Sequence, residues 1–581
     1  MMSIVTGIQE YIQAMVDRIP GMKVLILDAE TIGMISMVFS LSDLLNSEVY
    51  LYEKITEPRE KMSHLNAVCF LRPTNSNFYA LCQELRAPKY NEYHIFFTNA
   101  VPHVMLEKLA SNDENEVVHQ VQEFYADVYA VTHDLFSLNQ ASTIRLTEAK
   151  WTEYEDAVFQ RMIEGLLSVC LTLRMLPEIR YTKSSKLTQQ VAHHLSKRLK
   201  EEMSLFQDII RESKKSGEAA PVLLLLDRKN DPVTPLLNQW TYQAMLHEVL
   251  GMENNRINMS RVPDIRPELK EIVMSITQDQ FFEENLTQNF GDLGVNIKKY
   301  VEDYQRQTKN TARIESIEEM QRFVDEYPEF RRMSGNVSKH VAVVHELSRT
   351  IEAHGLLAAS QLEQELACSE SRQEHHRAVL EMLRGNTIMN MERLRLVLLY
   401  ALRYENDVSG LAKLKEQLRV AGLQEEQIAL IDQLLQYAGS HARSGDLFQN
   451  KTLLAQTRSV VAKNFKGVEN VYTQHKTQTI KVVEDLLKGK LKEGTYPFAD
   501  PVNNARDPVA RANSARDPVP RAVVFIVGGT TFEESRDVSE LNKGEGGRCV
   551  ILGGTTVHNS RSFLADVAQL NMMDRGRGGP E

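Results

Sequence analysis

The sequence predicts a protein of mixed α/β and α class, in which two α/β domains with parallel sheets flank a large helical insertion. Between residues 23 and 131, short apolar runs alternate with polar or helical stretches, which is typical of a parallel sheet covered by helices. From Ile272 to about Leu487 the apolar residues recur at helical spacing, without a convincing strand pattern. Strand patterns return at 523–527 and 549–552, which indicates that the helical block interrupts a second sheet domain.

Six apolar runs predict the strands of the first α/β domain, which we assign to residues 1–134. The runs lie at 24–28, 34–39, 49–52, 68–71, 94–97 and 128–131. Each run is as short as an ordinary strand and is followed by a polar or helical stretch. This order predicts parallel strands joined by helical crossovers.

The second α/β domain is predicted to consist of two separate stretches, residues 135–250 and 480–572. In the first stretch, the solid apolar run Val222–Asp227 is typical of a strand buried on both faces. The second stretch carries the runs VVFIV and CVIL. Residues 251–479 form the inserted helical domain, and we expect 573–581 to be a disordered tail.

One loop inside the second stretch carries a short repeat. Ala-Arg-Asp-Pro-Val occurs at 505–509 and again at 515–519. Its prolines and polar residues are typical of a surface loop. We therefore expect the repeat to lengthen a loop without changing the fold.

Composition excludes several classes of function. Of the 581 residues, 43% are hydrophobic and 25% charged, and Asp plus Glu (78) exceed Lys plus Arg (67), so the net charge is −11. We therefore expect no nucleic-acid partner, since nucleic-acid binding depends on cations that neutralise phosphates. The five cysteines are widely spaced and form no CxxC motif. We expect no disulfide framework, no zinc site and a reducing compartment.

The N-terminus is predicted to be an amphipathic helix. Ile4, Ile8, Ile12 and Met15 lie on one helical face, and the charges of Glu10, Asp17 and Arg18 leave no unbroken apolar stretch for a secretory signal. No run approaches the roughly 18 apolar residues of a membrane span. We expect a cytoplasmic monomer that reaches membranes only through its partners.

The strongest catalytic candidate is the segment from Asp227 to Pro235. Asp227 and Asp231 follow a buried strand, and ligands often bind at the carboxyl ends of parallel strands. However, Thr234 and Pro235 also fit the N-cap and first position of a helix, which Gly251 is well placed to end. No histidine or second carboxylate cluster lies nearby, so we favour a structural turn over a ligand site.

Two Gly-Gly-Thr-Thr turns, at 528–531 and 553–556, are the second candidate. A glycine turn between a strand and a helix can cradle phosphate. Neither turn has the lysine of a P-loop or the third glycine of a dinucleotide fingerprint. Thr530 to Glu533 also matches a capping box, so we favour helix capping over anion binding.

The remaining candidates for chemistry are two adjacent histidine pairs, 193–194 and 375–376. Neighbouring residues on a helix point in different directions and make poor joint metal ligands. The sequence therefore suggests no catalytic residue, metal or cofactor. We interpret the protein as a binding protein and not an enzyme. A nucleotide-binding enzyme and a passive trafficking scaffold stay open as alternatives.

Five segments resemble the SM (Sec/Munc) family of SNARE-binding proteins. They are GMKVLILDAETIGMISMVFS, VQEFYADVYAVTHDLFSLN, LLLLDRKNDPVTPLLNQWTYQAMLHEVLG, IVGGTTFEESRDVSELN and CVILGGTTVHNSRSFLADV. They keep the family's order over essentially the whole chain. Within the family, LNQWTYQAM and LGGTTVHNS resemble the subgroup that serves fusion at the trans-Golgi network and endosomes.

The resemblance implies a three-domain arch that chaperones SNARE complex assembly for vesicle docking and fusion, in support of vacuolar or lysosomal sorting. A cleft between the first and helical domains would hold the SNARE helix of a syntaxin. A groove outside the first domain would hold the syntaxin's N-terminal peptide. The implied partners are a syntaxin-type SNARE, the assembled SNARE complex and, as further candidates, a vesicle SNARE and tethering factors. The implied location is the periphery of Golgi and endosomal membranes.

Six positions match the peptide pocket of the family and are predicted to lie on two consecutive helices. They are Leu106, Leu109, Ala110, Val118, Val121 and Glu123. An apolar pocket suits a leucine or phenylalanine anchor from a short peptide. The alternative is that these apolar stripes only cover the sheet.

A heptad seam in the helical domain is the predicted contact for a SNARE helix. It consists of Phe330, Met333, Val337, Val344, Leu347 and Ile351, with His340 as a single polar interruption. Pro328 precedes it and lacks a backbone donor, so we expect the helix to bend or stop near Tyr327 and Pro328 to act as a switch. The alternative partner of the seam is the rest of the helical domain.

Overall fold

The computed structural model describes most of the chain. The described residues are 3–141, 143–147, 153–216, 219–311, 317–445, 447–448, 472, 474–500, 519, 521–544 and 549–570. Apart from Val519, the Ala-Arg-Asp-Pro-Val repeat lies outside the described residues, as does the tail. The chain divides into two units. Unit 1 comprises Met1–Arg228, Thr479–Thr530 and Asp537–Val557, and unit 2 comprises Lys229–Gln478, Thr531–Arg536 and His558–Glu581.

The described strands fall into three sheets. They are β1 Lys23–Leu27, β2 Val49–Lys54, β3 Asn66–Leu71, β4 Tyr93–Phe97, β5 Val118–Glu123, β6 Tyr129–Thr132, β7 Leu135–Ser137, β8 Glu178–Tyr181, β9 Val222–Asp227, β10 Arg256–Asn258, β11 Glu271–Val273, β12 Arg521–Val527 and β13 Cys549–Gly554. The first sheet has the order β2-β1-β3-β4-β5 and the second β6-β7-β13-β12-β9-β8, and β10 pairs with β11.

The α-helices in the described part of the chain cover the sheets and fill unit 2. They are α1 Ile4–Asp17, α2 Ala29–Val38, α3 Leu41–Asn46, α4 Asn75–Arg86, α5 His103–Asn112, α6 Glu153–Thr172, α7 Lys186–Glu201, α8 Gln207–Ser216, α9 Tyr242–Met245, α10 Gln280–Asn285, α11 Phe290–Thr311, α12 Ile317–His354, α13 Leu356–Cys368, α14 Arg372–Arg384, α15 Asn390–Arg403, α16 Val408–Val420, α17 Glu425–Ala438, α18 Gln478–Leu487, α19 Phe532–Lys543 and α20 Ser560–Ala568.

The first sheet lies in unit 1 and is parallel throughout. Its central strands β1 and β4 are buried along their whole length, which explains their solid apolar runs. The strand expected at 34–39 is wrong, since these residues belong largely to α2. Asp28 caps that helix by accepting hydrogen bonds from the backbone N–H groups of Glu30 and Thr31.

The second sheet, also in unit 1, joins two distant parts of the sequence. The parallel strand β12 lies between β9 and β13, so residues before and after the helical block share one sheet. The antiparallel pair is β6 with β7, at one edge. The rings of Phe136 on β7 and Phe525 on β12 stack 6.0 Å apart across β13. A Cβ on Gly553 would lie 2.0 Å from Cζ of Phe136, so this position of β13 requires glycine.

Unit 2 contains the helices α10 to α17 and the short hairpin of β10 and β11. The hairpin's second strand was not expected, because three residues are too few to carry a strand pattern. The 38-residue helix α12 continues through Tyr327 and Pro328, so of the two expectations, a bend or a stop, the stop is wrong. Pro328 therefore lies inside a helix, a position that costs about 3 kcal/mol.

Candidate functional site

The Asp227–Pro235 segment is a structural turn. Asp231 is buried, and its carboxylate accepts hydrogen bonds from the backbone N–H of Thr234 at 3.1 Å and its hydroxyl at 2.6 Å. It also accepts one from the N–H of Gln478 at 3.2 Å, which fixes the first residue of α18. The carboxylate is therefore engaged on three sides.

The single helix predicted from Thr234 to Gly251 is wrong. A short 3-10 turn ends at Leu236, and α9 starts at Tyr242 and continues as a π turn over Leu246–Leu250. Thr234 does not cap a helix, because its hydroxyl donates to Asp231. Gly251, with φ at +76°, does end the later helix, as predicted.

The two Gly-Gly-Thr-Thr turns pack against each other. The N–H of Thr530 donates to the carbonyl of Thr556 at 2.9 Å, and a Cβ on Gly554 would lie 2.7 Å from that nitrogen. Gly528 and Gly529 have φ of +92° and +88°, a region that favours glycine. The glycines are therefore explained by backbone geometry and close approach.

The helix α19 begins with a capping box that is one residue later than predicted. The N–H of Thr531 donates to Oε2 of Glu534 at 3.0 Å, and the N–H of Glu534 donates to the Thr531 hydroxyl at 3.3 Å. The expected box from Thr530 to Glu533 is wrong because Thr530 is paired with the other turn. The carboxylate of Glu534 occupies the position that an anion would take at this helix N-terminus.

Three further properties bear on chemistry. In the described residues no group of three His, Cys, Asp or Glu side chains is arranged to hold a metal ion. None of the five cysteines, all of which lie in the described residues, forms a disulfide. None of the helices that the structure describes is long and apolar enough to span a membrane.

The peptide positions on α5 share a face but differ in depth. Leu109 is only 2% exposed and packs in the core of the first sheet with Tyr93, Ile95 and Phe97 of β4. Leu106 is half-buried and Ala110 is exposed. Leu109 therefore belongs to the core, whereas Leu106 and Ala110 can meet a ligand.

The second helix expected here is wrong, because Val118–Glu123 is the edge strand β5. Strand pairing explains the error. Val118 pairs with Tyr93, but His94 pairs with Gln120, so the strand bulges at His119. The bulge restores Val121 to the α5 side, opposite Ile95 of β4, where regular alternation would have turned it away.

The six positions lie on α5 and β5, and we call this surface the α5–β5 groove, after the peptide groove that the family resemblance implies. Leu109 is buried, Leu106 and Val118 are half-buried, and Ala110, Val121 (41% exposed) and Glu123 are exposed. Sequence reasoning missed the bulge, although the uneven spacing in Val-Val-His-Gln-Val was its signal.

Glu123 also links the groove to a neighbouring cavity of about 630 Å³ in unit 1. Its carboxylate accepts hydrogen bonds from the N–H of Val101 at 2.6 Å and the hydroxyl of Tyr125 at 3.0 Å. Burial and the charge of Glu123 raise the pKa of Tyr125. The cavity is lined by the loop from Asn99 to Pro102 and by charged side chains of α6 and α7, including Glu164, Lys197 and Arg198.

Behind this cavity, a buried ion network fixes α6 to the first sheet. Arg72 donates to Asp127 at 3.2 Å and to Glu30 at 2.9 Å, and Arg161 donates to the other oxygen of Asp127 at 3.0 Å. The nearby carboxylates Asp127, Glu30 and Glu164 outweigh the effect of burial and raise the pKa of Arg72. The network therefore holds the cavity wall in place.

The described part of the heptad seam packs inside unit 2. Leu347 is 0% exposed, Val337 and Ile351 are buried, and Val344 is half-buried. His340, the polar interruption, is also fully buried. The side chains of Pro328, Phe330 and Met333 lie outside the described residues.

These features define a chain of two largely parallel sheets and many helices, and comparison with known proteins gives its class. The model of the Sec1 family matches residues 23–566. The chain therefore belongs to the Sec1 family, which confirms the resemblance found in the sequence.

The curated relatives narrow this class. Vacuolar protein sorting-associated protein 45 of Dictyostelium discoideum is 40% identical over 98% of this chain and 97% of its own length. The protein of the same name from Rattus norvegicus is 42% identical over 99% of this chain and 98% of its own length. The finer likeness to this subgroup is thus confirmed.

Solved structures agree with this assignment. The SM protein Vps45 in complex with the Qa SNARE Tlg2 is 43% identical and covers 100% of this chain and 99% of its own, with a TM-score of 0.84. Sly1p in complex with an N-terminal peptide of Sed5p is 20% identical over 99% of this chain and 100% of its own, with a TM-score of 0.79. The second comparison shows a shared fold alone.

Proposed function

We propose that this protein binds a syntaxin-type Qa SNARE and chaperones SNARE complex assembly during vesicle docking and fusion. The membranes are those of the trans-Golgi network and endosomes, and the process supports vacuolar or lysosomal sorting. The observation that carries the proposal is the 43% identity, over the whole chain, to a Vps45 solved with the Qa SNARE Tlg2.

The α5–β5 groove is the proposed site for the N-terminal peptide of the syntaxin. Its residues range from buried to exposed, and a partly exposed apolar surface suits a short peptide with one leucine or phenylalanine anchor. The carboxylate of Glu123 favours a peptide that also carries a cationic group.

A second contact is proposed for the SNARE helix, along α12. The described seam residues Val337 and Leu347 are buried in unit 2, so a SNARE helix reaches them only if α12 moves. We propose that Phe330 and Met333 form the first contact, that Val337, Val344 and Leu347 follow when α12 moves, and that Pro328 is the switch.

The architecture proposed for this function is a three-domain arch with boundaries near residues 134, 250 and 479. The pairing of β9 with β12 supports a second domain whose two halves flank the helices. Partners beyond the syntaxin are the assembled SNARE complex, a vesicle SNARE and tethering factors. The protein is proposed to be a cytoplasmic monomer that joins membranes through these partners, and to act without catalysis or a cofactor.

Calorimetry with a purified syntaxin cytosolic domain tests the proposal. We expect saturable binding, weakened when the syntaxin's N-terminal peptide is deleted, and weak but measurable binding of the peptide alone. Absence of binding to any endosomal or trans-Golgi syntaxin would refute the function. Saturable ATP or GTP binding, lost in Gly529→Val, would favour the nucleotide-dependent alternative.

A further inference from the structure

A histidine occupies a core position of the heptad seam, and its ring is fully hydrogen-bonded. The side chain of His340 is 0% exposed. Its Nε2 lies 2.9 Å from Oδ2 of Asp279, and its Nδ1 lies 2.8 Å from the hydroxyl of Tyr242. An ionised carboxylate only accepts, so Nε2 carries the proton and donates to Asp279. In the neutral ring Nδ1 then accepts from Tyr242.

The charges around the ring keep this arrangement in place. Burial alone would raise the pKa of Asp279, but the hydrogen bond from His340 and the charge of Lys339 lower it to about 2. Burial lowers the pKa of His340, although the hydrogen bond to Asp279 and the charge of Asp279 act in the opposite direction, and this lowering favours the neutral ring. Lys339 contacts Asp279 and also donates to the carbonyl of Val273 in β11 at 3.2 Å.

The cluster connects α12 to three other helices of unit 2. Tyr242 is the first residue of α9, and Asp279 caps α10 by accepting from the N–H of Phe282 at 3.1 Å. The ring of Phe281 lies 4.6 Å from His340 on one side and stacks at 4.6 Å on Tyr300 of α11 on the other. His340 is thus at the centre of the contacts that α12 makes with α9, α10 and α11.

A hydrogen-bonded polar residue in an apolar seam fixes the register of its helix, whereas an apolar residue does not. Apolar contacts such as those of Val337 and Leu347 are non-directional, so they distinguish only weakly between registers of α12 that differ by one turn, about 5.4 Å. The two hydrogen bonds of His340 are possible in only one register, and any other leaves Asp279 or Tyr242 buried without its partner. Buried polar groups at core positions are known to specify register at some expense of stability.

We propose that His340 is a positioning residue that fixes the register of α12, and thereby the way in which α12 meets a SNARE helix. The second half of this inference, the effect on how α12 meets a SNARE helix, rests on the proposed function. The first half, control of register, is a property of unit 2 alone and can be measured without any SNARE.

The test compares Tyr242→Phe and the double variant Tyr242→Phe/His340→Met with the parent protein. The double variant replaces the polar contact by two apolar side chains and leaves Asp279 bound to Lys339 and to the N–H of Phe282. Tyr304→Phe is the matched control, since it removes a half-exposed hydroxyl that donates to Ser334 between α11 and α12 at 3.1 Å. Hydrogen exchange of the amides of residues 334–354 is the first measurement.

We expect exchange in 334–354 to be about five- to tenfold faster in both test variants and unchanged in Tyr304→Phe. The effect of pH distinguishes positioning from general packing. The polar groups that face His340 are Asp279, Lys339 and Tyr242. On acidification His340 gains a proton at Nδ1, which then no longer accepts a hydrogen bond from Tyr242. After correction for the intrinsic effect of pH on amide exchange, exchange of residues 334–354 in the parent should therefore accelerate as the pH falls below about 6.5. The corrected exchange rate of the double variant should not change with pH.

The second measurement is the rate of SNARE complex assembly on the protein. We expect it to fall several-fold in the double variant, with syntaxin-peptide binding to unit 1 unchanged. Equal exchange rates in parent and variants, or faster exchange with an unchanged assembly rate, overturn the inference. Failure of the parent itself to bind syntaxin is a different result and overturns the proposed function instead. Tyr242→Phe keeps the test decisive if the double variant does not fold.

Discussion

The α5–β5 groove and the heptad seam have similar apolar patterns in the sequence but lie at different depths in the structure. The groove residues differ in exposure, since Val121 is 41% exposed and only Leu109 is buried in the core. The described seam is closed, with Leu347 and His340 at 0% exposure. The spacing of apolar residues thus identifies the apolar face of a helix or strand, whereas the neighbouring helices and strands decide whether that face is exposed to solvent. Binding and stability should therefore be separable in the groove and inseparable in the seam.

Leu109→Arg gives the largest expected effect and tests the buried residue of the groove. An arginine here would place an unpaired charge in the core of the first sheet, so we expect unit 1 to lose about 4 kcal/mol of stability or to unfold. Circular dichroism and thermal melting measure this. Val104→Arg, on the opposite, exposed face of α5, is the control and should melt like the parent. A folded Leu109→Arg protein that has lost only peptide binding would show that Leu109 acts as a ligand contact.

Leu347→Ala tests the seam in the same way. Removing a fully buried leucine leaves a cavity, and we expect a loss of about 3 kcal/mol. Denaturant unfolding gives the value. An effect below about 1 kcal/mol would indicate that α12 is loosely packed and that the seam is as open as the groove.

Leu106→Arg should separate binding from stability in the groove. Leu106 is half-buried, so the larger side chain can turn to solvent while its charge blocks an apolar anchor. We expect peptide affinity to fall at least thirtyfold, or about 2 kcal/mol, with the melting temperature nearly unchanged. Unchanged affinity by calorimetry would remove the α5–β5 groove as the peptide site.

The smallest expected effect is a pH dependence of the unfolding free energy that arises from His340 in the seam. Because burial lowers the folded-state pKa of His340, the folded state binds the proton less readily than the unfolded state. The contribution of neutral His340 is therefore complete above the unfolded pKa, near 6.5, and is lost as pH falls through the lower folded value. Unfolding free energies of the parent should decline relative to His340→Met between pH 7.5 and 5.5. Parallel curves would show that the ring does not titrate in this range.

Sequence reasoning succeeded where a residue's environment follows from its own chain segment. The solid runs at Lys23–Leu27 and Val222–Asp227 are strands of parallel sheets, as predicted. It failed where residues outside the apolar run decide. The run at 34–39 is apolar enough for a strand, but the cap at Asp28 starts a helix. The edge strand β5 has too few apolar residues to be recognised without β4 beside it.

The candidate site shows the same division. Val118 and Val121 were predicted to share a face of a second helix, and they do share one side, but on a strand with a bulge at His119. Pro328 disfavours a helix interior, yet α12 continues past it, so a stop could not be predicted from this residue alone. The meaning of His340 could not be predicted, since its partners Asp279 and Tyr242 come from other elements that no spacing rule connects to it.

The pairing of β9 with β12 has a consequence for the way the chain is made. About 300 residues separate the end of β9 at Asp227 from the start of β12 at Arg521. At about 5–20 residues per second, a ribosome needs roughly 15–60 seconds to deliver the missing strand. Throughout that time β9 presents an apolar edge, Val-Leu-Leu-Leu-Leu, without its neighbour. The nascent protein is therefore exposed to aggregation at this edge during translation, and its yield should depend on chaperones that shield unpaired strands until synthesis is nearly complete.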